Sequence, residues 1–310
     1  MNFRLFDFVL GAACLLSSCG SVETAVFGQL KPGEVTFPRE IGSVAFVNAV
    51  PKVVPECVPG AVLPELPGDG ARASRFLRDC VAEEGFLRAS LAGDVDGVSP
   101  AVVDSVARVC GVDVVMVLEG LDLGVGQVMG FDVIPMLRVV SESCLSAFVP
   151  GRARPLFRRV QSDTLMVDMV GVVSQDSLRE MASEFAASRL ADFVSPHWVD
   201  VERGYFDGGH ALLRDGCVLF REGDLAGAER CWVKAFELKR RGKLRFRSAF
   251  NLALVCEMRD DVDGALSWLE RAKGCVKDRD LEFMLMVYRA TLVCRRNDML
   301  KLDLQLRGGC

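Results

Sequence analysis

Histidine is almost missing. The 310 residues include two, His197 and His210, so the side chain that most often serves as general base or metal ligand is scarce. His197 lies in Ser195-Pro196-His197-Trp198, which reads as a packed junction, and His210 falls in an expected helix beside apolar residues. There is no Gly-x-Ser-x-Gly elbow, no Walker loop and no His-Glu-x-x-His. Twelve cysteines are present, but no Cys-x-x-Cys or Cys-x-His spacing occurs, which argues against zinc. Gly124-x-Gly126 with Gly130 precedes a strand, the reverse of a dinucleotide loop, and reads as a β-turn. The carboxylate pairs Glu83-Glu84 and Asp260-Asp261 fall on helix surfaces or turns. No cofactor, metal site or catalytic residue is therefore expected.

A basic excess is also missing. The net charge is −5, which argues against a nucleic-acid partner. The one basic run, Arg152, Arg154, Arg158 and Arg159, reads as a solvated turn between strands. No segment is apolar for the roughly 20 residues that a membrane-crossing helix needs.

What is present begins at the N-terminus. Arg4 precedes an apolar stretch from Phe8 to Leu16, and Leu16-Ser17-Ser18-Cys19 follows the pattern of a bacterial lipobox. The stretch is too short to span a bilayer and reads as a processing signal. Residues 1–18 are then removed and Cys19 becomes the lipidated terminus. Several acyl chains, at about 0.8 kcal/mol per buried CH₂, hold such a protein to a membrane without a transmembrane helix. The placement expected is the cell envelope, at the outer membrane facing the periplasm.

Half of the chain is apolar, enough for a substantial core. Residues 19–40, with Pro32-Gly33 and Pro38, read as a tether. Residues 41–195 read as an α/β domain: a strand over 44–50, a proline-rich loop, helical spacing over 70–92, a short helix over 101–110 stopped by Gly111, and a strong strand over 112–118. Strands at 131–140, 144–149 and 164–172 follow, then a helix over 176–194 opened by a Ser177-x-x-Glu180 capping box. The ten cysteines beyond Cys19 are widely spaced, mostly on apolar helical faces, and read as small hydrophobes.

Residues 196–310 read as all-α. Gly223-Asp224-x-x-x-Ala228-x-x-x-Trp232-x-x-Ala235 is repeated as Asp261-x-x-x-Ala265-x-x-Trp268-Leu269-x-x-Ala272, with Asp224/Asp261, Ala228/Ala265 and Ala235/Ala272 each 37 residues apart. That fits the second half of a tetratricopeptide unit, whose period is 34 residues, with a longer linker at Arg240-Arg241-Gly242-Lys243. Small alanines admit close helix packing, Trp232 and Leu269 fill grooves, and the aspartates cap. First helices are expected over 207–221 and 245–259, with a closing helix over 280–296. The fold class expected is α+β, an N-terminal α/β sandwich-type domain followed by tetratricopeptide-like helices.

Pro38-Arg39-Glu40-Ile41, the junction Pro196-x-Trp198-x-x-Val201-x-Arg203-x-Tyr205-Phe206, and Asn251-Leu252-Ala253-x-x-x-Glu257 together resemble an uncharacterised lipoprotein family of Bacteroidales-type bacteria. The resemblance implies the lipoprotein address and the repeat domain, and no activity. The α/β half also looks like periplasmic lipoprotein domains found near pore-assembly factors and cell-wall synthase activators. The function expected is a non-enzymatic envelope lipoprotein acting as a protein-interaction scaffold. Its partner is an envelope protein or peptide, met by a face that includes Tyr205, Leu212, Arg245 and Asn251. The alternative is a binder or hydrolase of cell-wall or glycan material, with a polar pocket near the loops at 51–69 and 120–131.

Overall fold

The computed structural model describes residues 22–51, 65–129, 135–168 and 174–306. The processing signal and Cys19 lie outside them. Contacts divide the chain into two units: one joins the chain up to Leu30 with Trp198–Leu300, and the other holds Lys31–His197 and the chain from Lys301 onward. The fold is α+β, with a sheet-based unit and a run of helices.

The sheet-based unit is built on strands β2 (Ser43–Asn48), β3 (Glu65–Pro67), β4 (Arg88–Asp94), β5 (Val114–Met129), β6 (Pro135–Phe148) and β7 (Phe157–Asp168). Their order is β4-β2-β5-β6-β7, with β3 paired off this path to β5. β2 runs parallel to β4 and β5, whereas β5, β6 and β7 form an antiparallel meander. Every residue of β2 is buried, as expected of a central parallel strand covered on both faces. One face carries helices α1 (Gly70–Glu84) and α3 (Gln175–Val194), which pack Leu77, Val81, Ala186 and Leu190 onto Phe46, Met116, Leu121 and Leu145. On the other face, α2 (Pro100–Cys110) sets Val103 and Ala107 against Ala45, Val47, Val115 and Val117.

The helical spacing over 70–92 is interrupted. Gly85 adopts φ 73°, which ends α1 in the left-handed conformation, and Leu87 and Leu91 belong to the approach to β4 and to β4 itself. Where two strands are expected over 131–140 and 144–149, the described residues Pro135–Phe148 form one strand, and Ser141 and Ser143 stay inside it by donating to the carbonyls of Asp163 and Gln161. Gly124 and Gly126 form no turn; they lie within β5, opposite Val140 and Arg138. The helix expected from Asp176 is capped one turn earlier than Ser177 predicts: the Ser174 hydroxyl accepts from the Ser177 amide.

The helical unit contains α4 (Ala211–Arg221), α5 (Leu225–Glu237), α6 (Lys243–Met258), α7 (Val262–Ala272) and α8 (Arg279–Leu306), the last running on past Leu300 into the other unit's residues. It also contains a two-stranded sheet, β1 (Val22–Lys31) with β8 (His197–Phe206). The tether expected over 19–40 is thus in part a strand, and the helix expected from 207 begins at Ala211. His210 is not in that helix but caps it, its Nδ1 accepting from the Leu212 amide at 3.2 Å.

Helices α4/α5 and α6/α7 are consecutive pairs with matching second-helix starts. Gly223 takes φ 85° at the first turn. Asp224 accepts from the Gly227 amide at 2.8 Å and Asp261 from the Gly264 amide at 2.9 Å, so each aspartate satisfies a free helical N–H. Ala228, Trp232, Ala235, Ala265, Leu269 and Ala272 are all buried. The Trp232 indole donates to the Leu213 carbonyl at 3.1 Å, and Gly216 leaves the space its ring occupies. Trp268 is half-buried, edge-on to Phe236 with centroids 5.2 Å apart.

Candidate interaction site

The inner side of the helical unit is occupied by its own strand pair. Phe206 of β8 meets Phe250 of α6 edge-on at 5.3 Å and Phe246 at 6.0 Å, and Phe250 meets Tyr288 of α8 at 5.1 Å. Tyr205 packs on Phe220 of α4 at 5.1 Å. The Phe206 amide donates to Asn251 Oδ1 at 2.8 Å, and Asn251 Nδ2 returns a bond to the Phe206 carbonyl at 2.9 Å. A buried asparagine is thereby satisfied by the strand backbone.

Deeper along the same seam lies Glu257, whose side chain has no exposed surface. Arg203 of β8 approaches both carboxylate oxygens, Nε at 3.0 and 3.1 Å and Nη2 at 2.8 Å. Gln29 of β1 donates at 2.9 Å, and the Tyr288 hydroxyl of α8 donates at 2.6 Å. Burial, then the neighbouring carboxylate, holds the Tyr288 phenol well above its ordinary value, so it remains a donor. Four elements are thus tied to one charge. Nearby, Arg295 of α8 donates to the Leu30 carbonyl and pairs with Asp260 at 2.7 Å. At the other end of the strand pair, Tyr205 OH donates to Glu23 at 3.0 Å, and Arg221 bridges Glu23 and Asp207.

This arrangement corrects the partner face expected from the sequence. Tyr205 belongs to a strand and is 2% exposed, and Asn251 is fully buried against β8. Leu212 is half-buried. The Arg245 guanidinium lies over the Phe236 ring at 3.5 Å and donates to the carbonyls of Phe236 and Lys239. The four do not form one open face. The residues that fill it, Gln29, Arg203 and Glu257, are polar and give no apolar signal. Arg203, Phe206, Asn251 and Glu257 do belong to two of the three sequence runs that carry the family resemblance, and they meet as two bonded pairs.

In the sheet-based unit, Ser195, His197 and Asp192 look by type like a nucleophilic triad. Their geometry differs. His197 Nε2 lies 3.9 Å from Asp192, its Nδ1 lies 3.1 Å from the Ser195 carbonyl, and the Ser195 hydroxyl is buried without a hydrogen-bond partner. Neither imidazole nitrogen is hydrogen-bonded to the serine hydroxyl, as a nucleophilic triad would need. A concavity of about 400 Å³ opens beside the start of α2, lined by Ala49, Ser99, Glu119, Phe148 and Arg152 among others. Glu119 is engaged there by Arg158 Nε at 3.0 Å and by the Cys144 thiol. This is not the expected pocket location; residues 52–64 and 130 to 134 of those loops lie outside the described residues. Among the described residues, no His/Cys/Asp/Glu group is arranged to hold a metal and no helix is long and apolar enough to cross a membrane.

Residues 214–293 match a family model described as a domain of unknown function, DUF6340, which covers α5, α6 and α7 and parts of α4 and α8. No curated protein matches the chain. Among solved structures, a minor lipoprotein from Acinetobacter baumannii matches at TM-score 0.28 and 8% identity, over 49% of this chain and 88% of that one.

Proposed function

We propose that this chain is a non-enzymatic envelope lipoprotein, anchored through Cys19, whose tetratricopeptide-like helices serve as a contact scaffold for another envelope protein. The observation that carries the reading is the pair of equivalent helical hairpins, 37 residues apart, whose inner side is filled by a strand that begins three residues after Cys19. In this reading β1 is the stalk of the anchor. The strand pair stiffens the helical scaffold from within, and a partner meets its outer surface. The Leu16-Ser17-Ser18-Cys19 motif and the resemblance to Bacteroidales-type lipoproteins support the outer-membrane, periplasm-facing placement.

The test is in-cell crosslinking of the lipidated chain followed by mass spectrometry, alongside a Cys19→Ala variant. A specific envelope partner linked through α5 or α7, lost or weakened when Cys19 is replaced, is the expected result. A Cys19→Ala chain that stays with the membrane overturns the anchor, and a background-level crosslink pattern in several growth conditions overturns the scaffold.

A further inference from the structure

Helix α8 follows α6 as α6 follows α4, but one of its faces is bare. Phe283, Met286, Val287, Ala290 and Cys294 each stand 37 residues after Phe246, Ala249, Phe250, Ala253 and Glu257. Those five residues of α6 are all buried, with Phe206 of β8 and Tyr288 of α8 against Phe250, and Tyr288 on Glu257. Their counterparts on α8 are open. Phe283 is 48%, Met286 59% and Val287 36% exposed, and Ala290 and Cys294 are exposed as well. Their spacing of three and four residues puts them on one stripe of the helix, opposite the buried Leu281, Tyr288 and Leu292. A stack of helical repeats ordinarily ends on a polar outer face.

The stripe carries its own complement in size and in charge. A large ring, Phe283, and a small residue, Ala290, lie two turns apart. The first hairpin shows what such a small position accepts: Gly216, at twice the repeat offset before Ala290, lies directly under the Trp232 ring. Along one flank stand Glu282 and Arg289, also two turns apart. Both are exposed, and neither has an ion-pair partner among the described residues. The next basic residues, Arg295 and Arg296, are already engaged by Asp260 and Asp263.

We propose that a second copy of this chain covers the stripe with its own α8, antiparallel, about a two-fold axis that crosses between Met286 and Val287. A two-fold axis sets the same face against itself in the opposite direction, so every contact occurs twice and each flank meets its own counterpart. In this register Phe283 of each copy lies on Ala290 of the other, Met286 and Val287 pack together at the axis, and Glu282 meets Arg289. Burial removes the apolar stripe from water, which favours association. Neighbouring registers are poorer. Sliding the copies by a turn so that Ala290 faces Met286 brings Arg289 to Arg289. Sliding them the other way, so that Phe283 faces Met286, sets Ala290 against Arg279. Cys294 falls opposite Arg279, where α8 of the second copy begins, so it stays open at the end of the overlap.

The symmetry supplies a test that loss of folding does not imitate. Glu282→Arg places base against base twice in its homodimer, and Arg289→Glu places acid against acid twice. A mixed dimer of one chain of each has two opposite-charge pairs. Met286→Lys sets two cations beside the axis, at a side chain exposed enough to leave the fold intact. The full lipidated chain is measured in detergent by native mass spectrometry, with thermal melting as the folding control. The parent is expected as a dimer, and each variant alone is expected to dimerise at least about tenfold more weakly, an effect of about 1.4 kcal/mol. The mixture of the two charge variants is expected to recover to within about threefold of the parent. A parent that is monomeric at every concentration overturns the proposal. So does a dimer indifferent to the three substitutions, or a mixture of folded charge variants that fails to recover. None of these outcomes bears on the Cys19 anchor or on the partner sought by crosslinking through α5 or α7, so the two readings fail separately.

Discussion

Arg203 and Glu257, 54 residues apart, form a two-pronged ion pair in the interior of the helical unit, with the guanidinium 2.8–3.1 Å from the carboxylate oxygens. Arg203 stands on β8 and Glu257 on α6, and the same carboxylate also accepts from β1 and α8. Removing one partner leaves a buried charge uncompensated, which typically costs about 3–5 kcal/mol. Arg203→Ala is therefore expected to lower the stability of the helical unit by that order. The double variant Arg203→Met with Glu257→Leu should recover only part of the loss: the uncompensated charge is gone, but the Gln29 and Tyr288 donors lose their acceptor. Denaturant unfolding checks both. Equal losses in the single and double variants would mean that the unpaired charge is not what sets the cost.

Tyr288 makes the stability of this seam depend on alkaline pH. Its phenol is raised well above 10.0 in the folded chain, while the unfolded chain ionises near 10.0. Above that pH the unfolded state has released a proton that the folded state still holds, so stability falls as pH rises. Below pH 10 the contribution is fully present. Tyr288→Phe is expected to weaken the fold at neutral pH by about 1–3 kcal/mol, through the lost bond to a charged group. It should also flatten the decline between pH 10 and 11 relative to the parent. An unchanged alkaline slope in the phenylalanine variant would contradict this account.

The parts legible in the sequence were those governed by local rules. Asp224 and Asp261 announce helix starts because a cap acts over three residues, and Ala228, Trp232, Ala265 and Leu269 announce buried faces by their spacing. β2 and the start of β5 were legible as unbroken apolar runs. The strand pair was not. β1 and β8 stand about 170 residues apart, and their inward residues include Gln29 and Arg203, whose burial makes sense only once Glu257 is in place. Tyr205 and Asn251 are each polar enough to read as surface, yet each is buried, Tyr205 packed on Phe220 and Asn251 bonded to the β8 backbone at Phe206. At 70–92 the error was of another kind. Gly85 was a readable stop, but Leu87 and Leu91 continued the helical spacing by coincidence.

The two capping aspartates give matched expectations. Asp224→Ala and Asp261→Ala each remove the acceptor for one orphan amide, Gly227 and Gly264, and each is expected to cost about 1 kcal/mol. Replacement by asparagine or serine should restore most of that. Thermal melts of the four variants check it. A large loss at one site and none at the other would contradict the equivalence of the two hairpins.

Gly216 tests how closely α4 and α5 approach. A Cβ built there collides with the Trp232 indole, which is fully buried and anchored by its bond to the Leu213 carbonyl. Gly216→Ala therefore gains helix propensity, up to about 1 kcal/mol, but must displace the ring. Overpacking of this kind costs about 1–3 kcal/mol, so the net change is expected to be destabilising. Tryptophan fluorescence should report a more solvated Trp232.

The cysteines separate by environment, and this can be read by alkylation. The eight in the described residues are all free thiols. Cys217 is fully buried, its thiol donates to the Phe206 carbonyl at 3.2 Å, and burial pushes it up to about 12. Cys80 and Cys256 are pushed up to about 11 by the same cause. Because the thiolate is the reacting species, these three should resist a maleimide at neutral pH. Cys294 is exposed on α8 and should label first. Cys217 should label only at the rate at which the helical unit opens, and because it bonds to Phe206, that rate reports release of β8 from α4. Arg203→Ala is therefore expected to speed Cys217 labelling well before it speeds that of Cys80 in the sheet-based unit. Equal acceleration at both thiols would mean that the two units open together, and that the Arg203–Glu257 pair secures more than the helical unit.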